Sequence, residues 1–371
     1  MAEVIRQHST RTGAWLAELR LDFPLLIGLT LLAFMGLAVV YSAGGEDLDL
    51  VLRQAVRIGL GVAIMVFLAQ LPPALLRLWA PWLFLGGMVL LVAVLIAGEL
   101  GQGAQRWLNL GFLRFQPSEL MKLVMPMAVA WYLHHRPLPP RWWELLLMLV
   151  VIGLPVGLIG LQPDLGTALL VASAGLFALF LAGLRWRYIF GGLVGIAVAV
   201  PILWTHLHDY QRQRVLTFLN PESDPLGSGY HIIQSKIAIG SGGVFGKGWT
   251  EGTQSQLEFL PERATDFVFA VVGEEFGLVG VTLLMAIYLF VFWRGMTLAL
   301  RAQDTFGRLL GGSIVLTFFV YVFVNIGMVT GLLPVVGIPL PLISYGGTSM
   351  VTLLAGFGIL MSIDGHRRFI H

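Results

Sequence analysis

The polar stretch FLPERATDFVFAVVGEE begins at Phe259 and runs into a long apolar segment. Glu262 and Asp266 lie directly before that segment. A carboxylate in this position can take a proton from a reacting group, or it can accept hydrogen bonds from the free amides of a helix start. The sequence leaves both roles open for Asp266. Glu274 and Glu275 follow inside the apolar segment, and we interpret them as helix-packing or gating acids.

A second polar stretch, GAQRWLNLGFLRFQPSELMK, leads into another apolar segment. Glu119 and Lys122 are three residues apart, a spacing that shares a helix face. Charges at this depth normally face a bundle interior or a wet cavity, so the two form either a structural ion pair or a cavity wall that contacts substrate. Either Gln116 or Ser118 is expected to cap the helix. The candidate substrate-binding residues here are Arg106, Trp107, Gln116, Ser118, Glu119 and Lys122; the first two equally fit an interface anchor.

Two further stretches interrupt apolar segments. In QPDLGTA, Asp164 is explained equally well as a helix cap or as a substrate contact, and Thr167 is a candidate beside it. TGLLPVVGIPLPLISYGGTS holds Ser344, and its prolines and glycines exclude one continuous helix. Irregular backbone near a membrane is tolerated only where it is buried in protein or lines a water-filled cavity. This stretch therefore predicts a site.

The remaining candidates lie in one long loop, residues 205–265. Arg212 and Arg214 carry planar donors that suit phosphate, and Lys247 lies within GSGGVFGKG, whose amides can form an anion-binding nest. The segment YHIIQSKIAI has the pattern of a short amphipathic helix at the interface. Glycine in such a loop is more often only a turn former.

Composition shows what kind of elements must position these residues. The chain of 371 residues is 57% hydrophobic and 12% charged, with a mean hydropathy of +0.82, whereas soluble proteins carry about 25% charged residues. This predicts an all-α integral membrane protein. The net charge of +2 is too small to suggest nucleic acid, and the absence of cysteine excludes disulfides and cysteine metal sites.

Ten apolar segments approach the roughly 20 residues that a membrane span needs. The predicted transmembrane helices are 23–43, 55–71, 77–98, 118–134, 144–161, 167–183, 188–204, 266–292, 309–330 and 347–363. With the N-terminus inside, 13 arginines fall in cytoplasmic segments against four in the short outer ones, which places both termini in the cytoplasm.

We therefore expect a single transmembrane domain with short cytoplasmic tails and one large extracytoplasmic loop between helices 7 and 8. The predicted parts are an N-terminal tail 1–22, a ten-helix domain 23–363 that includes the outer loop 205–265, and a C-terminal tail 364–371. No internal repeat stands out, which argues mildly against an inverted-repeat transporter.

An outward cavity with arginines and carboxylates suits an amphiphilic substrate such as a lipid-linked sugar diphosphate. Glycosyl transfer from such a donor needs a carboxylate to take the proton of the attacking hydroxyl and cations to stabilise the leaving diphosphate. A lipid flippase or small-molecule exporter explains the same residues. No nucleotide-binding loop or metal-ligand spacing is present.

Together the motifs resemble those of the SEDS family (shape, elongation, division and sporulation). The resemblance rests on GAQRWLNLG, RFQPSELMK, QPDLGTA, YQRQRV, SGYHIIQSKIAIGSGG, GKGW, GTQSQLEFLPERATDF, GEEFGLVG and GLLPVVGIPLPLISYGGTS, which span most of the chain. The stretches QLEFLPERATDF and LPVVGIPLPLISYGG look closer to the rod-elongation branch than to the division branch.

The resemblance implies ten transmembrane helices and a peptidoglycan glycosyltransferase that polymerises lipid II for lateral wall elongation and rod shape. It also implies a class B penicillin-binding protein as transpeptidase partner, further elongation-complex proteins, and a bacterial inner-membrane location with the active site on the outer face. The family's essential aspartate matches Asp266, and its other functional positions match Trp107, Glu119, Lys122 and Asp164.

On this hypothesis Asp266 deprotonates the acceptor hydroxyl. The candidates for holding the diphosphate are Arg212, Arg214, Lys247 and Lys122. The sequence requires no cofactor; whether a divalent cation, Mg²⁺ or Mn²⁺, assists near Asp266, Glu262 or Glu119 stays open. A lipid II flippase is the alternative, and a scaffold that only recruits the transpeptidase is a third reading.

Overall fold

The computed structural model describes residues 20–101, 104–109, 114–206, 212, 216, 228–257, 259–260 and 262–366. This part of the chain is mainly helical. The helices are α1 (Phe23–Ala43), α2 (Leu48–Gln70), α3 (Pro73–Ala97), α4 (Pro117–Leu133), α5 (Trp142–Leu161), α6 (Leu165–Leu181), α7 (Trp186–His206), α8 (Ser228–Ser241), α9 (Thr253–Gln256), α10 (Val268–Leu300), α11 (Thr305–Val329) and α12 (Thr348–Gly365).

Seven of these helices are long and apolar enough to cross a membrane, namely α1, α2, α3, α5, α10, α11 and α12. Helices α4 and α6 have 17 residues each, and α7 has 21. The expectation of a mainly helical protein with several membrane-length helices is confirmed.

A small sheet between α3 and α4 was not expected, because its strands are too short to give a periodic signal. Strands β1 (Glu99–Gly101), β2 (Ala104–Asn109) and β3 (Arg114–Phe115) pair antiparallel in the order β1–β2–β3. The strictly all-α prediction is corrected to this extent. The sheet places Arg106 and Trp107 on β2, beside the start of α4.

Helix starts follow the capping carboxylates rather than the apolar boundaries. Asp47 accepts hydrogen bonds from the amides of Asp49 (2.8 Å) and Leu50 (3.4 Å), so α2 begins at Leu48 and not near residue 55. Arg53 and Arg57 therefore lie on α2, whereas the sequence placed them in an outer loop. A side-chain cap satisfies amides that would otherwise lack partners, which lengthens a helix beyond its apolar part.

Helix α11 lies at the centre of the bundle, packed against α4, α6, α10 and α12. It is mostly buried, whereas α2, α3 and α5 expose wide apolar faces. In a membrane protein such faces contact lipid. The polar residues discussed below lie at the ends of the central helices and on the segment between α11 and α12.

Helix α10 is broken at Gly277, whose φ of 61° and ψ of −158° are not helical. The segment 242–248 lies against the break, where the amides of Lys247 and Gly248 donate to the carbonyls of Glu274 (3.0 Å) and Glu275 (3.1 Å). A Cβ at Gly246 would overlap the carbonyl oxygen of Glu275. Glycine is needed here for close backbone approach, and amides paired with carbonyls are not offered to an anion, so the nest interpretation is wrong for these two.

Candidate functional site

Asp266 lies on a compact turn, residues 262–267, directly before α10. The amides of Thr265 and Phe267 both donate to the carbonyl of Glu262 (3.1 and 3.2 Å). Glu262 is exposed and has a positive φ of 54°, a conformation that non-glycine residues seldom adopt. The turn holds the half-buried Asp266 just outside the first helical residue.

Asp266 is not the cap of α10. The N-cap position is Phe267, and no side chain bonds to the first amides of the helix. The capping interpretation is therefore wrong. Burial, reinforced by the negative charge of Glu262, raises the pKa of the Asp266 carboxyl to about 6. At neutral pH the group is still ionised, and it is a stronger base than an ordinary carboxylate.

Asn325, in the interior of α11, fixes the backbone at Asp266. Its side-chain amide donates to the carbonyl oxygens of Asp266 (2.9 Å) and Ile338 (2.7 Å), and the residue is completely buried. Sequence reasoning missed Asn325, although a polar amide inside an apolar run was the available signal.

The segment between α11 and α12 supports the same turn from the other side. Ser344 donates from Oγ to the carbonyl of Thr265 (2.5 Å) and accepts from the amide of Leu340 (2.8 Å), while the amide of Tyr345 donates to the carbonyl of Ala264 (2.7 Å). The Ser344 hydroxyl is thus engaged by backbone groups. Its predicted contact with substrate stays a prediction, and the observed contact is structural.

A second buried residue missed by sequence reasoning holds this segment. Gln54 of α2 donates to the carbonyl of Ser344 (3.0 Å) and accepts from the amide of Gly346 (3.4 Å). The guanidinium of Arg57, one turn further along α2, lies 4.5 Å from the centre of the Tyr345 ring. The part of the interrupted segment from Leu340 to Ser344 is therefore buried in protein, as irregular backbone in a membrane requires.

Glu119 and Lys122 form an ion pair inside the bundle, with 2.6 Å between Nζ and Oε1. Each side chain is only 6% exposed. Thr352 donates to Glu119 (3.1 Å), and the ammonium lies 5.0 Å from the centre of the Tyr321 ring. The expected ion pair is present, and its lysine also lines a cavity.

Two cavities connect this pair to the Asp266 turn. Lys122, Thr317 and Thr352 line the first, Ser344 and Ser349 line the second, and the two share Tyr321 and Leu353. The cavities therefore extend between α4, α11 and α12 toward the turn. Their walls combine apolar side chains with a few polar ones, the usual character of a ligand pocket.

Asp164 caps a helix, which is one of the two roles that the sequence left open, and its contact with substrate stays a prediction. Its Oδ1 accepts from the amide of Thr167 (3.2 Å) and caps α6. Its Oδ2 accepts from Gln116 (3.0 Å) and lies 3.8 Å from Nε of Arg106. Capping uses only one oxygen, so the second joins a polar cluster.

The expected cap of α4 is absent. Gln116 occupies the N-cap position without a side-chain bond to the helix. The hydroxyl of Ser118 is buried and has no hydrogen-bond partner among the described residues. Pro117 at the helix start explains why little is lost, since the first amide it replaces needs no partner. Both side chains are left for other contacts, and Gln116 uses its amide on Asp164.

The backbone around Gly337 lies between the Asp164 cluster and Asp266. A Cβ placed on Gly166 would come within 2.7 Å of the Val336 carbonyl, and one on Gly337 within 3.4 Å of Oδ2 of Asp266. The start of α6 and the Asp266 turn therefore contact opposite ends of one short segment. The structure thus gathers Asp164, the cavity residues and Asp266 around the α11–α12 connection.

Two of the predicted diphosphate ligands, Arg212 and Lys247, bind other groups of the protein. Arg212 donates to the carbonyls of Trp204 (3.0 Å) and Thr205 (2.8 Å), at the end of α7. Lys247 donates to Glu274, with 2.6 Å between Nζ and Oε1. Arg214 lies outside the described residues. Trp107 is half-buried on β2, opposite Glu99. The described contacts give these residues no common site with Asp266.

No group of three or more histidine, aspartate or glutamate side chains in the described ranges has the geometry of a metal site. Glu262 and Asp266 are two carboxylates of one turn, and the negative charge of Glu262 contributes to the raised pKa of Asp266. One Glu262 oxygen already accepts from the Thr265 hydroxyl (2.6 Å). A cation here would need further oxygens from water or substrate.

The comparisons with known proteins decide the family. The model of the FtsW/RodA/SpoVE family, described as cell cycle proteins, matches residues 21–369. The chain belongs to this family. It is 56% identical to the peptidoglycan glycosyltransferase MrdB of Escherichia coli K12, over 93% of this chain and 94% of that protein. It is 38% identical to a probable peptidoglycan glycosyltransferase FtsW of Geobacter metallireducens, over 93% and 95% of the two chains.

Solved structures of related proteins superpose on most of this chain. A chain of a peptidoglycan synthase complex superposes with a TM-score of 0.82 at 38% identity, covering 92% of this chain and 97% of that one. The rod-shape-determining protein RodA of Thermus thermophilus gives 0.71 at 33% identity, with 94% and 98% covered. The resemblance inferred from the motifs, including its rod-elongation side, is confirmed.

Proposed function

We propose that this protein is a peptidoglycan glycosyltransferase that polymerises lipid II into glycan strands for lateral wall elongation and rod shape. The observation that carries the proposal is the Asp266 carboxyl, which is half-buried and caps no helix, on a turn bound through Thr265 to Ser344, a wall residue of the second cavity. The family membership and the names of the relatives support the same activity.

In the proposed reaction Asp266 takes the proton of the 4-hydroxyl of the acceptor GlcNAc. That oxygen attacks C1 of the donor MurNAc, and the bond from C1 to the diphosphate oxygen breaks. Undecaprenyl diphosphate leaves with the bonding electrons, and one displacement converts the α-linked donor to a β-1,4 product. Asp266 returns its proton to solvent before the next cycle.

The second requirement of the reaction is a cation that stabilises the negative charge of the leaving diphosphate. Among the predicted diphosphate ligands that the structure describes, Lys122 lines a cavity. Arg106 lies beside Asp164 at the neighbouring cluster. If a divalent cation such as Mg²⁺ or Mn²⁺ is used, Glu262 and Asp266 would hold it, and it would neutralise diphosphate charge.

The membrane arrangement that goes with this activity has ten spans, both termini in the cytoplasm and the loop 205–265 outside, within a single domain 23–363 flanked by tails 1–22 and 364–371. The seven membrane-length helices and the arginine distribution support it. Asp266 would then lie at the outer face of the inner membrane, where lipid tails end and sugars begin.

A class B penicillin-binding protein is the proposed partner, together with other elongation-complex proteins. The likeness to a chain of a peptidoglycan synthase complex supports this partner. A polymerase beside a transpeptidase would deliver each new strand to cross-linking without release.

The test compares wild type with Asp266→Asn in glycan-strand synthesis from purified lipid II with the transpeptidase partner. The substitution is nearly isosteric and removes no cap, so folding and partner binding should persist while polymer disappears. Asp49→Asn, an exposed acid on α2, is the matched control and should polymerise normally. Full activity of Asp266→Asn would remove Asp266 as the base. Transbilayer movement of lipid II without polymer would favour a flippase.

A further inference from the structure

Glu274 is a completely buried carboxylate inside α10, and it is fully engaged. Oε1 accepts from Lys247 Nζ (2.6 Å), from the Thr253 hydroxyl (3.2 Å) and from the Gln254 amide (2.9 Å), while Oε2 accepts from the Ser255 amide (3.3 Å). Such a carboxylate is tolerated in a buried position only when paired and hydrogen-bonded. These contacts leave no evident place for a ligand.

Lys247, the partner of Glu274, is bound through both its backbone and its side chain. The Lys247 backbone amide donates to the carbonyl of Glu274 itself (3.0 Å), so backbone and side chain of one residue bind backbone and side chain of the other. The break at Gly277 brings the two strands of chain together, and the amides of Leu278 and Val279 donate back to residues 243 and 244. Withdrawing Lys247 to bind a diphosphate would leave Glu274 buried without its cation.

A continuous set of contacts runs from this pair to Asp266. Two of the donors to Glu274 are amides in the first turn of α9, so the carboxylate acts on the start of that short helix. The carbonyl of Ser255, in the same helix, accepts a hydrogen bond from the guanidinium of Arg263. Arg263 lies on the 262–267 turn, three residues before Asp266. The pair therefore supports the turn from the loop side, opposite the support from Asn325.

We propose that Lys247 and Glu274 are positioning residues that hold the Asp266 turn through α9 and Arg263, and that they do not contact lipid II. This inference rests on the proposed role of Asp266. It replaces the prediction that Lys247 binds diphosphate, and it gives Glu274 a role that the sequence could not define.

The experiment measures kcat and KM for lipid II polymerisation by Lys247→Met and Glu274→Gln in complex with the transpeptidase. Loss of a positioning contact should lower kcat about tenfold or more with KM within about twofold, because substrate binding is unchanged. Lys247→Arg should retain most activity. Lys236→Met, an exposed lysine on α8, is the matched control and should match wild type.

The pH–rate profile distinguishes the proposed positioning role of Lys247 and Glu274 from a purely structural role. Wild type should lose activity as pH falls through about 6, the pKa of Asp266. If the turn shifts and Asp266 becomes more solvated, the acid limb of the surviving activity moves to lower pH in both variants. Unchanged kcat and an unchanged acid limb in folded protein would overturn the proposal.

Two other outcomes are decisive. A large rise in KM for Lys247→Met, with Glu274→Gln normal, would restore the diphosphate role and overturn this proposal. Full activity of Asp266→Asn would instead reject the proposed base, and with it the reason for positioning it. Should Glu274→Gln fail to fold, Thr253→Val removes only one donor and should give a smaller fall in kcat with the same shift of the acid limb.

Discussion

Two lysine–glutamate pairs in this molecule have the same length and opposite surroundings. In both, Nζ lies 2.6 Å from the carboxylate. Glu119 and Lys122 share one helix face, and Lys122 borders a cavity. Glu274 and Lys247 come from distant parts of the chain, and protein donors surround the carboxylate. On the two proposals, the contacts of the carboxylate, and not the distance from Nζ to oxygen, distinguish a substrate-binding pair from a positioning pair.

The largest effect is expected from replacing the cavity pair in full. Glu119→Gln with Lys122→Met removes both charges, so no unpaired charge remains buried and the double variant should fold. It should make no detectable glycan polymer and should bind lipid II more weakly, because the cavity loses its cation. Binding and polymerisation assays measure both. Each single variant should be less stable than the double one, by about 3 kcal/mol, since one buried charge then lacks its partner.

The Lys247–Glu274 pair is expected to give a contrasting result when both of its charges are removed. Lys247→Met with Glu274→Gln should lower kcat and leave lipid II binding unchanged. Equal loss of binding in both double variants would remove the distinction between the two pairs.

A smaller effect is expected at Asn325. Asn325→Leu leaves the carbonyls of Asp266 and Ile338 without their donor, and each unpaired buried group costs about 1–3 kcal/mol. The free energy of unfolding in detergent should fall accordingly, with a fall in kcat because the Asp266 turn loosens. Thr282→Val, which removes an exposed hydroxyl bound to the Val279 carbonyl of its own helix, is the control and should have little effect on either.

The pH dependence of the activity should change when Glu262 is replaced. Asp266 must be ionised to act as a base, so activity is present above its pKa of about 6 and is lost below it. Glu262→Gln removes the neighbouring negative charge and should lower that pKa, which moves the acid limb to lower pH. The variant keeps an acceptor for the Thr265 hydroxyl. Glu251→Gln, an exposed acid of the same loop, should leave the limb in place.

The smallest effects are expected from replacing Gly240 and Gly246, which lie six residues apart. Gly246→Ala should destabilise the protein, because its φ is +81° and a Cβ would overlap the Glu275 carbonyl. Gly240→Ala, at the end of α8 with no atom within 4 Å of the new Cβ, should be neutral or stabilise by about 0.5–1 kcal/mol through helix propensity. Thermal unfolding compares them directly.

Much of the fold was predictable because apolar length is a strong local signal. The first helix was predicted at 23–43, and α1 is Phe23–Ala43. The start of α2 was missed by several residues because a polar first turn capped by Asp47 carries no apolar signal. The strands around Trp107 were missed because two or three paired residues show no periodicity.

The sequence identified a site residue where an ionisable side chain lies directly at the start of an apolar segment. Asp266 was identified, and the structure rejects its role as a helix cap. Asn325 and Gln54 were missed, since their function is to bind backbone carbonyls that lie far away in sequence. Lys247 was assigned to diphosphate from its charge, whereas its partner Glu274 comes 27 residues later.

The sequence by itself determined that this is a membrane protein of the FtsW/RodA/SpoVE family, because hydropathy and motif spacing are properties of the chain alone. Only the tertiary structure decided which polar groups are engaged and which face a cavity. Asp164, Ser344 and Lys247 look alike as candidates in the sequence. Their hydrogen-bond partners lie on other elements, and burial allows a polar group to stay unpaired only at a free-energy cost, so packing decides which of these groups bind other parts of the protein.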